Sequence, residues 1–126
     1  MVIVNRTHEK AVALARKAKA HVLKQAALAK SRFDAIVNTT PCGMTGIKQQ
    51  LPIKEDELNA SLVFDLVYTP IETPLLKLAK SRGLAVIGGL EMFAQQGARQ
   101  FEIWTGKPAP EAEMQRVVEL ELRRRG

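Results

Sequence analysis

Short apolar runs alternate with helical patterns along the chain. The first run, Val2–Val4, is β-branched and apolar at every position, which predicts a strand buried on both faces of a parallel sheet. An alanine-rich helical pattern follows, and Thr7 stands where the residue that caps such a helix is expected. A weak strand at residues 21–23 and a short helix ending at Lys30 come next. The amino-terminal part therefore predicts strand, helix, strand and helix, in that order.

Three further strands are predicted beyond this part. They cover residues 33–37, 62–68 and 84–87. Between the last two strands, Thr73 is followed by Pro74, and proline directly after a capping residue favours the start of a helix. Gly83 follows two basic residues and marks the expected end of that helix.

Two helices are predicted from about residue 89 onward. The first runs from the Gly88-Gly89 turn to about Thr105, and apolar side chains four and three residues apart predict its core face. That face contains Leu90, Ala94, Gly97, Phe101 and Trp104. The second helix opens after Pro108 and Pro110. Its apolar stripe contains Met114, Val117, Val118 and Leu122.

Strands that alternate with helices at these spacings predict an α/β fold with a doubly wound, Rossmann-like parallel sheet. Ligands of such sheets bind at the carboxyl ends of the strands. The 126 residues are 46% apolar, enough for one domain with its own core. We therefore expect a single domain over residues 1–126.

Charge and rare residues narrow the function classes. The net charge is +6, but the basic residues lie mostly in two helical stretches without interleaved aromatics, so nucleic-acid binding is not expected. One cysteine and two separated histidines predict neither a disulfide nor a metal site, and favour a reducing cytoplasm. No apolar run is long enough to cross a membrane. A small phosphorylated ligand fits this charge better.

The first predicted strand ends in Asn5-Arg6-Thr7, and Lys10 follows within one helical turn. In dinucleotide folds an acidic residue at this position binds the adenosine ribose, whereas an arginine accommodates a 2′-phosphate. This turn has no acidic residue. The motif is compatible with a phosphate site, but three residues alone favour the alternative of a capped turn bearing an exposed arginine.

Three later segments carry polar groups at strand ends. The loop Asn38–Met44 offers small polar groups and glycine, where a pyrophosphate or a nicotinamide ribose could rest, although an ordinary polar loop has the same composition. Tyr68 could bind a polar substrate or cover the rim of the sheet. In the helix after Gly89, Gln96 is a ligand-binding amide or a surface glutamine, and Met92 is a contact residue or a gap filler.

The order and spacing of these segments, together with Thr73–Leu76 and Phe101–Gly106, resemble the shikimate dehydrogenase family along almost the whole chain. The resemblance implies reduction of 3-dehydroshikimate to shikimate with NADPH. It places Asn5, Arg6, Thr7 and Lys10 on the 2′-phosphate of NADP, and Thr40, Leu66, Gly89 and Met92 beside the rest of the cofactor. It places Tyr68 and Gln96 on the substrate.

The chain also departs from the family pattern. The family usually has Asp-Gly-Leu-Gly-Met where residues 88–92 read Gly-Gly-Leu-Glu-Met, so Glu91 is expected to alter the turn near nicotinamide. The family's first strand, glycine-rich turn and catalytic Lys and Asp would precede residue 1. We therefore assign no catalytic residue, and expect the chain alone to be inactive.

Two expectations concern assembly and function class. A sheet without its first strand would leave Val2–Val4 as an unpaired edge. The apolar stripe of the last helix, which by the resemblance packs toward the absent substrate domain, would face water. Such surfaces drive self-association, so we expect a dimer or a higher oligomer, or a rearranged sheet in which neighbouring strands close the gap. The alternative to a dehydrogenase portion is a noncatalytic nucleotide-binding or protein-interaction module.

Overall fold

A computed structural model describes residues 1–125, which form two compact units. We call residues 1–33 with 53–59 the amino-terminal unit, and residues 34–52 with those from 60 onward the carboxyl-terminal unit. None of the helices in the described range is long and apolar enough to cross a membrane.

The amino-terminal unit contains two short parallel strands and one α-helix. Its elements are β1 (Val2–Ile3), α1 (His8–Ala18), β2 (His21–Val22) and 3₁₀ helices at Gln25–Lys30 and Glu55–Glu57. Val2 lies opposite His21 in the sheet. Ala11 and Ala15 are the buried residues of α1, and their small side chains let the helix lie close to its neighbours.

The first strand differs from its prediction in length and burial. It ends at Ile3 instead of Val4, and Val2 is 41% exposed. The prediction that this strand is buried on both faces is therefore wrong. Within residues 1–125, β1 has a hydrogen-bonded neighbour on one edge only, namely β2. A two-residue strand with one neighbour has too few flanking side chains to bury it.

The carboxyl-terminal unit contains a three-stranded sheet and three α-helices. Its elements are β3 (Phe33–Asn38), β4 (Ala60–Asp65), α2 (Pro74–Ser81), β5 (Ala85–Ile87), α3 (Gly89–Thr105) and α4 (Glu111–Arg125). The strand order is β3-β4-β5, and β4 and β5 are parallel. The Phe33 N–H donates to the carbonyl of Asn59, and the Leu66 N–H donates to the carbonyl of Asn38. Strands β3 and β4 therefore run parallel. The α/β prediction is confirmed.

Helix α2 follows its local sequence signals closely. Thr73 is the N-cap, and its hydroxyl oxygen accepts the Leu76 N–H at 3.2 Å, while Pro74 opens the first turn. Gly83 has a φ of +71°, a conformation that glycine adopts without a steric penalty. The predicted start and end of this helix are both confirmed.

Strand β4 stops three residues earlier than predicted. It ends at Asp65 because the carboxylate accepts the Val67 N–H at 3.1 Å, which withdraws that group from the sheet. Its neighbour β5 also ends, with Ile87 opposite Phe64. Tyr68 therefore lies in the loop after the strand instead of at its last position.

Helix α3 buries a narrower face than predicted. Leu90, Ala94 and Ala98 are buried, but Trp104 is 78% exposed, so its assignment to the core was wrong. At 3.6 residues per turn, Trp104 lies about 80° around the helix from Ala94, at the centre of the buried face. The α3 helix packs on α4, where a Cβ at Gly97 would meet Met114 Cε at 3.4 Å.

Candidate functional site

Four predicted phosphate-binding residues lie together in the amino-terminal unit, between β1 and the first turn of α1. Asn5 Oδ1 accepts the Thr7 N–H at 3.0 Å, so the Asn5 oxygen is engaged within the turn and its NH₂ group is left to donate to a ligand. Thr7 occupies the N-cap position, but its hydroxyl makes no capping hydrogen bond. The prediction that Thr7 occupies the N-cap position is confirmed, but the expected hydrogen bond from the helix to its side chain is not formed.

The charges of this turn favour an anion. Arg6 and Lys10 are exposed, and neither forms an ion pair with another residue in the part of the chain that is described. The first N–H groups of a helix point outward and carry partial positive charge. Residues 5–7 and the first turn of α1 together carry two exposed cations and one exposed acidic side chain, Glu9, so their net positive charge suits a phosphate group.

A buried hydrogen-bonded group joins three segments of the carboxyl-terminal unit, and we call it the strand-end cluster. It consists of Asn38, Thr40, Asp65 and Thr73. Asp65 Oδ1 accepts from Asn38 Nδ2 at 2.9 Å, and Asp65 Oδ2 accepts from the Thr73 hydroxyl at 2.6 Å. Asp65 and Thr73 are fully buried, and Asn38 is 3% exposed. The cluster links the ends of β3 and β4 to the start of α2.

Thr40 extends this cluster to the surface. Asn38 Oδ1 accepts both the Thr40 N–H at 3.0 Å and the Thr40 hydroxyl at 2.7 Å. A backbone hydrogen bond of 2.8 Å from Thr45 to Thr69 ties the loop after β3 to the loop after β4. The two loops that carry predicted ligand-binding residues are thus held by side-chain and backbone bonds.

Gly89 is placed by contact with backbone. A Cβ at this position would lie 2.5 Å from the carbonyl oxygens of Leu66 and Val67. Cβ atoms in proteins do not approach backbone oxygens this closely. The start of α3 can approach the loop after β4 this closely only because residue 89 lacks a side chain. The structure thereby brings Gly89 and Leu66 together.

A cavity of about 300 Å³ lies at the carboxyl ends of β3 and β4. Residues 39–41, Met44 and 66–69 line it, so the predicted residues Thr40, Leu66 and Tyr68 share one cavity. No charged side chain is among its lining residues. Neutral polar and apolar groups therefore form its walls.

A second cavity of about 350 Å³ adjoins Tyr68 on another side. The Tyr68 and Phe93 rings stack with their centroids 5.1 Å apart, and residues 117–118 and 121–122 of α4 complete the lining. Met92 and Gln96 line neither cavity. Met92 is half-buried, and Gln96 is exposed one turn further along α3.

Sequence reasoning missed the residues that hold this region together. The sequence predicts Asp65 only as part of a strand and Thr73 only as a helix cap, and it gives Phe93 no role. Asp65 is bonded to a partner 27 residues away, which no local pattern reveals. A carboxylate in the middle of an apolar run was the available signal, because buried charges are retained only with partners.

Comparison with known proteins connects this geometry to a family. Residues 89–119 match the model for the Shikimate 5'-dehydrogenase C-terminal domain. Over 113 residues the chain is 43% identical to the Shikimate dehydrogenase (NADP(+)) of Archaeoglobus fulgidus, covering 84% of this chain and 42% of that protein. The chain is similar to shikimate dehydrogenases and corresponds to their carboxyl-terminal portion.

Solved structures of shikimate dehydrogenases are also similar to the chain. The Thermus thermophilus enzyme in complex with NADP(H) and shikimate superposes with a TM-score of 0.79 and 31% identity, covering 98% of this chain and 45% of that one. A chorismate mutase/shikimate 5-dehydrogenase fusion protein from Clostridium acetobutylicum gives a TM-score of 0.83 at 28% identity, covering 97% and 46%. The chain thus spans less than half the length of these shikimate dehydrogenases.

Proposed function

We propose that this chain is the NADP-binding portion of an NADP-dependent shikimate dehydrogenase, which reduces 3-dehydroshikimate to shikimate in aromatic amino-acid biosynthesis. The observation that carries the proposal is the exposed Arg6, in a strand-to-helix turn without an acidic side chain, in a chain whose relatives are named for NADP(+). A 2′-phosphate requires a cation at this position, and a free ribose hydroxyl requires an acid.

In the amino-terminal unit, the proposed ligand group is the 2′-phosphate. The Arg6 guanidinium would form charge-assisted hydrogen bonds to it. Lys10, in the first turn of α1, adds a second positive charge. The Asn5 amide and the Thr7 hydroxyl would donate the remaining hydrogen bonds, since the Thr7 hydroxyl is not engaged in capping.

In the carboxyl-terminal unit, the proposed ligands are the nicotinamide end of the cofactor and the substrate. We assign Thr40, Leu66, Gly89 and Met92 to the cofactor. We assign Tyr68 and Gln96 to the hydroxyl and carboxylate groups of shikimate. Support comes from the shared cavity of Thr40, Leu66 and Tyr68 and from the close packing of Gly89 on Leu66.

The proposal assigns no catalytic residue to this chain. Proton transfer by a positioned side chain is worth about a hundred- to ten-thousand-fold in rate, so we expect negligible dehydrogenase activity from the isolated 126 residues. We place the protein in the cytoplasm, and expect it to self-associate through the exposed edge of β1. Light scattering across a dilution series tests the last point, and a monomer at micromolar concentration would contradict it.

Calorimetric titration with NADP and NAD tests the cofactor assignment. We expect tighter binding of NADP, and a loss of about 1.5 to 3 kcal/mol in NADP binding for Arg6→Ala, as for a removed charge-assisted hydrogen bond. Arg16→Ala is the matched control, because Arg16 is exposed in the last turn of the same helix. Equal affinity for NAD, or an unchanged Arg6→Ala variant, would sink the assignment.

Activity is tested separately with the purified chain. Incubation with shikimate and NADP, followed by absorbance of NADPH, should give no signal above the rate without protein. Robust shikimate-dependent reduction would show that catalytic groups are present in these residues after all.

A further inference from the structure

The Thr40 hydroxyl has a single lone pair left with which to bind a ligand. Its proton is donated to Asn38 Oδ1 at 2.7 Å, and its oxygen accepts the Cys42 N–H at 3.2 Å. A hydroxyl has one proton and two lone pairs, so one lone pair remains. Thr40 is exposed and lines the first cavity. In this arrangement it accepts a hydrogen bond from a ligand and cannot donate one.

The orientation of the Asn38 amide determines this polarity, and Asp65 determines that orientation. Asn38 Nδ2 donates to Asp65 Oδ1 at 2.9 Å and to the Cys42 carbonyl at 3.2 Å. Both partners accept only. A reversed amide would turn its oxygen toward two acceptors and its NH₂ group toward the Thr40 N–H. Asn38 Oδ1 must therefore face Thr40.

The other bonds of Asp65 agree with a carboxylate that acts only as an acceptor. The Val67 N–H and the Thr73 hydroxyl both donate to it, at 3.1 and 2.6 Å. Every hydrogen bond between two members of the strand-end cluster thus runs toward Asp65 or toward Asn38 Oδ1. The polarity of the exposed Thr40 hydroxyl is imposed from the fully buried Asp65.

We infer that Asp65 is a positioning residue that makes Thr40 a hydrogen-bond acceptor for a neutral N–H or O–H group of the ligand. A phosphate oxygen requires donors or cations, and the first cavity has neither a charged lining residue nor a donating Thr40. Of the two ligand groups considered for the loop after β3, the nicotinamide ribose carries hydroxyls that can donate to Thr40, whereas a pyrophosphate carries no donor for it. The identity of the ligand rests on the proposed function, whereas the polarity of Thr40 does not.

The polarity is tested in the ligand-free chain by NMR of the side-chain amides. The two Asn38 Nδ2 protons should exchange slowly with water, whereas those of Asn5 should exchange rapidly, because Asn5 is exposed. Asp65→Ala, which removes the acceptor, should abolish the protection at Asn38, and Asp34→Ala, at an exposed position on the same β3 strand, should preserve it. Rapid exchange of the Asn38 amide in the unsubstituted chain would overturn the inference, whatever the chain binds.

The ligand donor is tested by titrating NADP⁺ and two analogues. In the 3-acetylpyridine analogue a methyl ketone replaces the carboxamide, and in the second analogue the nicotinamide ribose lacks its hydroxyls. One analogue should bind about three- to tenfold more weakly than NADP⁺, the usual cost of one neutral hydrogen bond. Thr40→Val should remove that difference, while Thr40→Ser and the neighbouring Thr39→Val should keep it.

The outcomes separate the two proposals. The analogue that loses affinity identifies the donor as amide or hydroxyl. If NADP⁺ binds but neither analogue is weaker, or if the difference persists in Thr40→Val, the inference is wrong and the proposed function stands. If neither NADP⁺ nor 2′,5′-ADP binds, the proposed function is wrong, and the Asn38 exchange measurement alone decides the polarity of Thr40.

Discussion

The strand-end cluster and the ion pairs along α4 contain polar bonds of the same length in opposite surroundings. The Thr73 hydroxyl lies 2.6 Å from the Asp65 carboxylate, and both residues are fully buried. Arg116 lies 2.7 Å from Glu113, but these side chains are 61% and 57% exposed. Water competes for the hydrogen bonds of the Arg116–Glu113 pair but does not reach the Thr73–Asp65 pair. Burial, and not bond length, therefore decides which bond stabilises the fold.

The two regions also differ in what their bonds connect. The α4 pairs join residues three or four positions apart on one helix. Asp65 instead joins residues 27 positions before it and 8 positions after it. A break in the strand-end cluster therefore separates segments, whereas a break in an α4 pair releases one side chain. Substitutions should therefore reduce stability most at Asp65 and least at Arg116.

Asp65→Ala is expected to cause the largest loss. It leaves the Asn38 amide, the Val67 N–H and the Thr73 hydroxyl without their acceptor, at a total cost of about 3 to 5 kcal/mol in the free energy of unfolding. Chemical denaturation measures the change. Asp34→Ala, at an exposed position on β3, is the control and should change stability little. A loss below about 1 kcal/mol for Asp65→Ala would remove the distinction between buried and exposed bonds.

Gly89→Ala is expected to follow. The added Cβ would meet the Leu66 and Val67 carbonyl oxygens at 2.5 Å, and the required backbone shift should cost about 2 to 3 kcal/mol. Gly88→Ala is the matched control, because its Cβ would meet only Leu76 Cδ1 at an ordinary 3.6 Å. If the two variants denature at the same midpoint, the close approach of α3 to this loop is not a constraint.

Thr73→Ala should cost less than either. It removes the cap on the Leu76 N–H and one donor to Asp65, a loss of about 1 to 2 kcal/mol. Thr73→Ser retains the hydroxyl and should recover most of the stability. Thermal unfolding of the two variants gives the comparison, and equal losses would indicate that the methyl group, not the hydroxyl, matters.

Arg116→Gln should have the smallest effect, with no measurable change in stability. The hydrogen bond from Arg116 lowers the pKa of the Glu113 carboxyl. A lowered folded-state pKa gives stability that is present above the unfolded pKa and lost as pH falls through the folded one. NMR titration should show the Glu113 midpoint rising toward its usual value in Arg116→Gln. An unchanged midpoint would contradict the pairing.

Features determined by neighbouring residues were predictable from sequence. The start of α2 needs only Thr73 and Pro74, and its end needs Gly83, so both could be located from local preferences. The end of β4 could not, because it depends on the bonds of Asp65 within the fold. Trp104 had the right spacing for a core face, but burial depends on which part of α3 the sheet covers.

The candidate site divides in the same way. Asn5, Arg6 and Thr7 are adjacent in sequence, so their grouping follows from the turn itself. Gly89 stood out as part of a turn, but the reason for glycine is the backbone of residues 66 and 67, which only the tertiary structure brings near. The direction of the Thr40 hydroxyl depends on a chain of three side chains and has no signature in sequence.

The hydrogen bond between Thr45 and Thr69 has a consequence for motion. Together with Asp65, which holds Asn38 on one side and the Val67 N–H on the other, it fastens two walls of the first cavity to each other. Segments fastened in this way open as one cooperative unit. The Thr45 and Val67 amides should therefore exchange with deuterium at the same rate, so that this cavity widens by concerted opening and never by movement of one loop alone.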